Sequence, residues 1–170
     1  YYVQHLASPS GSSTDRYFEI RKDGTWYNVY NTLSDLRDLQ EIANQQNSPH
    51  YAGAAKVLMA INLGLATDLW GQIPLSQALQ GADELTPEYD SQQDIYTAID
   101  TLLNSAVQDL SQSESNYSPG SDDYMYGGDI NKWIKTAHAV KARYLNHLTG
   151  KQSYDPQAVL SAIDNAYTSN

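Results

Sequence analysis

Apolar residues recur at helical spacing over most of the chain, and the recurrence starts clearly at Asn31. Leu33, Leu36, Leu39 or Gln40, and Ala43 predict a first helix over about 31–46, with Asn31 or Thr32 as its N-cap. Tyr51, Ala54, Ala55, Leu58, Ile61, Leu65 and Leu69 predict a second over about 50–70, with this set as its inward side. Ala60, Gly64 and Ala66 are small enough to let a neighbouring helix approach closely. The link Gln46-Asn47-Ser48-Pro49 is short, so the two helices should form an antiparallel hairpin. Gly71 and Pro74 punctuate the end of the second helix: Gly takes the left-handed conformation after a last turn, and Pro cannot continue the ladder.

A loop rich in acid, Gly and Pro follows, from Gln80 to Asp90. Ser91 then caps a third helix over about 91–112, with Asp94 where a capping box carries Glu or Gln. Its stripe is Ile95, Ile99, Leu102, Leu103, Ala106, Val107 and Leu110. After a polar stretch, Asp129 caps a fourth helix over about 130–149, with Ile130, Trp133, Ile134, Ala137, Val140, Tyr144 and Leu148 as its stripe. Asp155 as cap and Pro156 at the first helical position open a fifth, with Val159, Leu160, Ile163 and Tyr167 facing inward. The expectation is an all-α fold of tetratricopeptide-like antiparallel helical hairpins with long loops over 31–170. The pairs repeat at about 60 residues rather than 34, so strict repeat periodicity is absent. Residues 1–30 read as an irregular segment. Within it, Lys22-Asp23-Gly24 separates Tyr17-Phe18-Glu19-Ile20 from Thr25-Trp26-Tyr27-Asn28-Val29-Tyr30, which suits either a hairpin or a turn leading into a helix.

Composition narrows the function. The 170 residues carry 20 acidic and 10 basic side chains, a formal charge of −10. Such a surface repels phosphates, which argues against nucleic acid and against an anionic membrane face. There is no cysteine, hence no disulfide, thiolate metal site or Cys nucleophile. No unbroken apolar run reaches the roughly 18 residues of a membrane span. The chain opens at Tyr1 without a leader, which reads as a segment of a longer protein. Fourteen Tyr and three Trp stand against one Phe. Tyr and Trp join an apolar ring to a hydrogen-bonding edge, which suits half-exposed positions at helix rims and also stacking on the C–H faces of sugars.

Motifs of catalysis do not occur: there is no His-Glu-x-x-His, Gly-x-Ser-x-Gly, phosphate-cradling Gly loop or dinucleotide fingerprint. His138 and His147 fall roughly opposite each other on the fourth helix and should not share a metal. The acidic groups Asp83-Glu84, Glu88 and Asp90, and Asp122-Asp123 with Asp129, read first as solvated loop acids and caps. Neither group has the alternating spacing of a calcium loop. No metal and no cofactor is expected. Asn116-Tyr117-Ser118 matches a glycosylation sequon, a tripeptide common by chance. Lys132, Lys135, Lys141, Arg143 and Lys151 are half of all basic residues, and Lys141 and Arg143 lie beside the Tyr144 stripe, placed to pair across a helix interface.

Three segments in order carry a resemblance: Tyr51-Ala52-Gly53-Ala54-Ala55-Lys56-Val57-Leu58 through Trp70-Gly71-Gln72-Ile73-Pro74-Leu75; Thr86-Pro87-Glu88-Tyr89-Asp90-Ser91-Gln92-Gln93-Asp94-Ile95-Tyr96; and Gly128-Asp129-Ile130-Asn131-Lys132-Trp133-Ile134-Lys135-Thr136-Ala137-His138. Together they resemble the SusD/RagB outer-membrane lipoproteins of the Bacteroidetes, the SusD-like 2 branch in particular. The resemblance implies a non-catalytic nutrient-binding protein at the cell surface, held by a lipid anchor upstream of this segment. It implies an oligosaccharide or other nutrient as ligand and a TonB-dependent transporter as partner, and no enzyme activity. The helices would serve mainly as scaffold, with sugar contacts from loops and projecting rings. On that basis Trp26, Tyr27 and Tyr30 are the first candidate ligand contacts, and Tyr124 and Tyr126 the second; Trp70 and Trp133 read as core. The alternative is a helical-repeat scaffold that grips a protein partner on its concave face.

Overall fold

A computed structural model describes residues 23–81 and 85–168. Five helices follow in order: α1 (Asp23–Gln45), α2 (Pro49–Trp70), α3 (Gln92–Leu110), α4 (Ile130–His147) and α5 (Pro156–Asp164). Among the described residues there is no strand, only one antiparallel bridge between Ile73 and Asp90. Contacts run α1 to α2, α2 to α3, α3 to α4 and α4 to α5, with α4 also reaching α2. Successive helices are antiparallel. Asn62 near the end of α2 bonds the Val29 carbonyl near the start of α1, and Tyr96 at the start of α3 meets His147 at the end of α4. The all-α hairpin architecture is the expected one.

Helix α1 differs from expectation at its start. It begins at Asp23, eight residues before Asn31, so residues 23–30 are helical rather than irregular and the second arm of a hairpin does not form. Trp26, Val29 and Tyr30 continue the spacing of Leu33 and Leu36, and Val29 is as buried as they are. Thr32 is no cap: its hydroxyl donates to the Asn28 carbonyl at 2.8 Å inside the helix. The partner run at 17–20 lies outside the described residues.

The turn after α1 closes on Asn47, which takes a left-handed φ of 50°. The Ser48 amide donates to the Ala43 carbonyl at 2.8 Å, the six-to-one bond of a Schellman turn. Asparagine tolerates that conformation because its short amide can bond locally. The predicted Ser91, Asp129 and Asp155 caps all form, accepting from the amides of Asp94, Lys132 and Gln157.

Helix α2 is the centre of the molecule. It is long and apolar enough, by length and composition, to cross a membrane, yet most of it is covered by its neighbours. Its buried set is Ala52, Gly53, Ala54, Ala55, Val57, Ala60, Leu63, Gly64, Ala66 and Thr67. That corrects the expected face, since Leu65 and Leu69 are about half exposed. A helix with three helical neighbours uses small residues on several sides, and its bulkiest side chains do not mark its core. On α5, Val159 is buried as expected and Ala162 with it, while Leu160 and Ile163 are about half exposed, against expectation; Tyr167, just past the helix, turns to α4 and donates its hydroxyl to the Lys132 carbonyl at 3.0 Å.

One ion pair lies inside the α2–α3 contact. The Lys56 ammonium donates to Asp109 at 2.5 Å and to the Ser105 hydroxyl at 2.8 Å, with the Lys56 side chain only 11 % exposed. Removing one partner leaves the other charge poorly solvated. Lys56→Ala should therefore cost about 2–3 kcal/mol in urea unfolding, and pairing it with Asp109→Leu should recover most of that. Equal stability of Lys56→Ala and wild type would contradict this placement.

Candidate functional site

The antiparallel hairpin puts the N-terminal turns of α1 beside the C-terminal end of α2, and aromatic rings meet there. Trp26 lies 4.9 Å from Tyr30 and 5.0 Å from Trp70, edge to face with the latter. Tyr89 comes over from the loop before α3, its ring 25° from the Trp26 plane with centroids 6.2 Å apart. Trp26, Tyr30 and Trp70 are half-buried against the core, and Tyr89 is 60 % exposed. The result is a ring cluster open on one side to solvent.

Residues 71–81 and 85–90, between α2 and α3, hold this cluster in place. Gly71 ends α2 at φ 76° and ψ −103°, its amide donating to the Thr67 carbonyl; the positive φ is the one expected, but the ψ lies outside the left-handed helical conformation of a standard glycine cap. Ile73, fully buried, accepts from the Asp90 amide at 3.0 Å. The Asp90 carboxylate in turn accepts from the amides of Leu75 and Ser76 at 2.7 and 2.9 Å. Burial raises its carboxyl, but these amide bonds outweigh burial and hold it below the ordinary carboxylate value. Tyr30 donates its hydroxyl to the Pro74 carbonyl at 2.8 Å. Burial, with Tyr89 and Asp90 nearby, pushes that phenol well above its usual value, so it stays a neutral donor. Arg37 donates to the Leu79 carbonyl and ties the far end of the loop to α1. Tyr89 is thus carried to Trp26 by a folded loop.

Of the three residues first singled out, Trp26 and Tyr30, four apart, share this face, and Tyr27 does not. It is 66 % exposed on another side of α1 and has no ring contact with the four-ring cluster. Trp70 is not an interior residue but a member of the ring cluster. It and Tyr89 are the members that sequence reasoning passed over. Antiparallel pairing of the first two helices was the available signal for Trp70: one further turn at the front of α1 sets Trp26 against it.

The second pair, Tyr124 and Tyr126, sits in the α3–α4 loop, which the Asp123 carboxylate organises. It accepts from the Trp133 indole N–H at 2.8 Å and from the amides of Met125, Tyr126 and Gly128 at 2.9, 3.1 and 3.1 Å. Asp122 accepts from the Gly120 amide and from the Tyr51 hydroxyl at 2.5 Å. That bond to Asp122 pushes the Tyr51 phenol up to about 12. Tyr126 packs edge to face on Trp133 at 5.2 Å, its hydroxyl 2.7 Å from that of Thr136. Tyr126 is therefore built into the scaffold, while Tyr124 is 99 % exposed at the loop tip. Trp133 is core, 3 % exposed. The loop also clamps the α1–α2 turn through Asn116, whose side-chain amide donates to the Gln46 carbonyl. Among the described residues, no three His, Asp or Glu side chains converge as metal ligands would.

The described residues thus form a helical-hairpin scaffold with a half-exposed ring cluster at one end of the α1–α2 pair. A family profile described as starch-binding, associating with the outer membrane, matches residues 1–170, and the chain belongs to that SusD-like 2 family. Solved structures agree. A SusD/RagB family protein from Bacteroides thetaiotaomicron is 31 % identical at TM-score 0.79, over 86 % of this chain and 31 % of its own. A chitin-binding protein is 26 % identical at TM-score 0.81, over 99 % of this chain and 38 % of its own. A SusD homologue from Bacteroides fragilis is 26 % identical at TM-score 0.73, over 94 % and 33 %. The chain thus spans about a third of the length of these relatives. A comparison with curated protein sequences returns no match.

Proposed function

We propose that this chain is part of a non-catalytic glycan-binding protein of an outer-membrane uptake system, passing its ligand to a TonB-dependent transporter from the cell surface. The observation that carries the binding role is the ring cluster of Trp26, Tyr30, Trp70 and Tyr89. The rings are already packed and buttressed, so little side-chain entropy is lost when a sugar docks on them. Trp26 and Tyr89 offer faces for C–H stacking, and the adjacent loop backbone offers amides and carbonyls for hydroxyls. No bond is broken in this reading, so no general acid or nucleophile is required. Membership of a family described as starch-binding and a chitin-binding structural relative both support a polysaccharide ligand.

Calorimetric titration of the full-length protein against a panel of neutral oligosaccharides tests it. Saturable binding should weaken at least about tenfold in Trp26→Ala, a cost of ~1.4 kcal/mol or more. Tyr89→Ala, at an exposed loop position, should weaken it without disturbing the fold. Silence across the whole panel would favour the protein-interaction scaffold. The transporter partnership is tested separately, by co-purification of the tagged protein from outer membranes.

A further inference from the structure

A second concavity lies between α3 and α4, closed at one end by residues 151–153, and has a volume of about 860 Å³. That falls within the size of small-ligand sites, roughly 300–1,000 Å³. Tyr96 and Tyr144 line its inner side, their rings edge to face at 5.9 Å. They are fixed by a three-way contact. Tyr96 donates its hydroxyl to Asp68 at 2.8 Å, His147 Nδ1 sits 3.3 Å from the other Asp68 oxygen, and Tyr144 donates to the Ile61 carbonyl at 3.2 Å. The rim is rich in neutral polar groups, the amides of Gln93 and Gln152 and the hydroxyls of Thr97, Thr101 and Ser153.

The charge of this groove runs against that of the protein. From Ile130 to Lys151 there is no acidic residue, and half of the ten basic ones fall here, in a chain of net charge −10. Asp100 is the one carboxylate among the lining residues, and Lys141 neutralises it at 2.9 Å while also bonding Asn104. Lys151 remains on the rim with no ion-pair partner among the described residues. A ring-lined groove with amide and hydroxyl rims and one uncompensated cation, in an otherwise acidic molecule, has a definite chemical complement.

We propose that the α3–α4 groove is a second binding site, for an acidic oligosaccharide carrying carboxylate or sulfate groups. Lys151 takes the anionic substituent, the amides and hydroxyls take ring hydroxyls, and Tyr96 offers its ring to a sugar face. The proposal rests on the reading of the protein as glycan-binding, but not on the Trp26 cluster.

Calorimetric titration of the full-length protein with tetragalacturonate, maltotetraose and tetraglutamate separates the outcomes. Tetragalacturonate should bind saturably at about 20 mM salt and several-fold more weakly at about 150 mM. Lys151→Glu should weaken it about fivefold or more, whereas Lys135→Glu, the same charge change on the outer side of α4, should not. Equal affinity in Lys151→Glu and wild type would overturn the proposal, as would no binding of tetragalacturonate. Equal binding of tetraglutamate would overturn it in favour of an acidic-peptide site. If maltotetraose is silent while Lys151-dependent uronate binding persists, the groove stands independently of the Trp26 cluster.

Discussion

Gly64→Ala should lower the unfolding free energy by about 3 kcal/mol, one of the two largest single-site effects expected in this protein. Alanine ordinarily stabilises a helix interior by about 1 kcal/mol relative to glycine, so the sign itself is diagnostic. At Gly64 a Cβ would sit inside the Tyr144 ring, overlapping Cζ, the hydroxyl and Cε1. That ring cannot move aside freely. Tyr144 is 6 % exposed, packs edge to face with Tyr96 and with His147 at 5.4 Å, and bonds the Ile61 carbonyl through its hydroxyl. The cost is that of overpacking a closed contact between α2 and α4, with loss of the bond to Ile61. For a chain of this size the melting temperature should fall by roughly 8 °C. Shortening the partner tests the cause: Gly64→Ala with Tyr144→Leu should be more stable than the sum of the single changes, by at least about 1 kcal/mol. A Gly64→Ala protein within about 0.5 kcal/mol of wild type would mean that α2 and α4 do not approach as described.

Gly64 also shows what a sequence can reveal. A small residue at helical spacing signals a close approach, and the approach is there, but nothing local names the residue that fills the gap. The five helices, the caps at Ser91, Asp129 and Asp155, and the helix pairing were legible because each rests on local physics: 3.6-residue spacing, a cap before it, Gly or Pro after it. The start of α1 was not, because Trp26-Tyr27-Asn28-Val29-Tyr30 has the aromatic and β-branched content of a strand, while its burial repeats every three to four residues. The inward face of α2 was misjudged because neighbours on several sides leave no polar stripe to orient it. On α5 the helix packs through the expected Val159 and through Ala162, a residue too small to mark a face, while the larger Leu160 and Ile163 are about half exposed. At the site the same limit applies. Trp26 and Tyr30 were reached through the family resemblance, together with Tyr27, which lies on another side of α1. Tyr89 was not, because its approach to Trp26 depends on how residues 71–81 and 85–90 fold back through Ile73 and Asp90. The groove between α3 and α4 was foreshadowed only by the basic bias of α4.

Asp123→Asn should be the second large effect, costing about 3 kcal/mol and flattening the acid side of the stability curve. All four hydrogen bonds to this carboxylate come from N–H groups, two on each oxygen: Met125 and Tyr126 on one, Gly128 and the Trp133 indole on the other. An asparagine amide keeps one oxygen and replaces the other with an NH2 group, so in either orientation two donors face a donor. With Trp133 only 3 % exposed, its indole N–H has no ready access to water as a substitute. Two lost charge-assisted bonds of roughly 1.5–3 kcal/mol each, weakened by screening at a carboxylate partly open to solvent, account for a cost of this size. Burial raises the Asp123 carboxyl, but the bonds from Trp133, Gly128, Tyr126 and Met125 outweigh it, so its folded value lies below the unfolded one. The unfolded chain therefore binds the extra proton between the two values. The contribution of Asp123 is fully present above the unfolded carboxyl value, near pH 4, and is lost as pH falls through the folded value. Asp90 and Asp122 are lowered in the same sense, so a residual acid slope should survive in the variant. Urea unfolding from neutral pH down to about pH 3 should show wild type converging on Asp123→Asn as the carboxylates protonate. Parallel curves, with the gap unchanged at low pH, would show that the Asp123 charge does not hold the α3–α4 loop against Trp133.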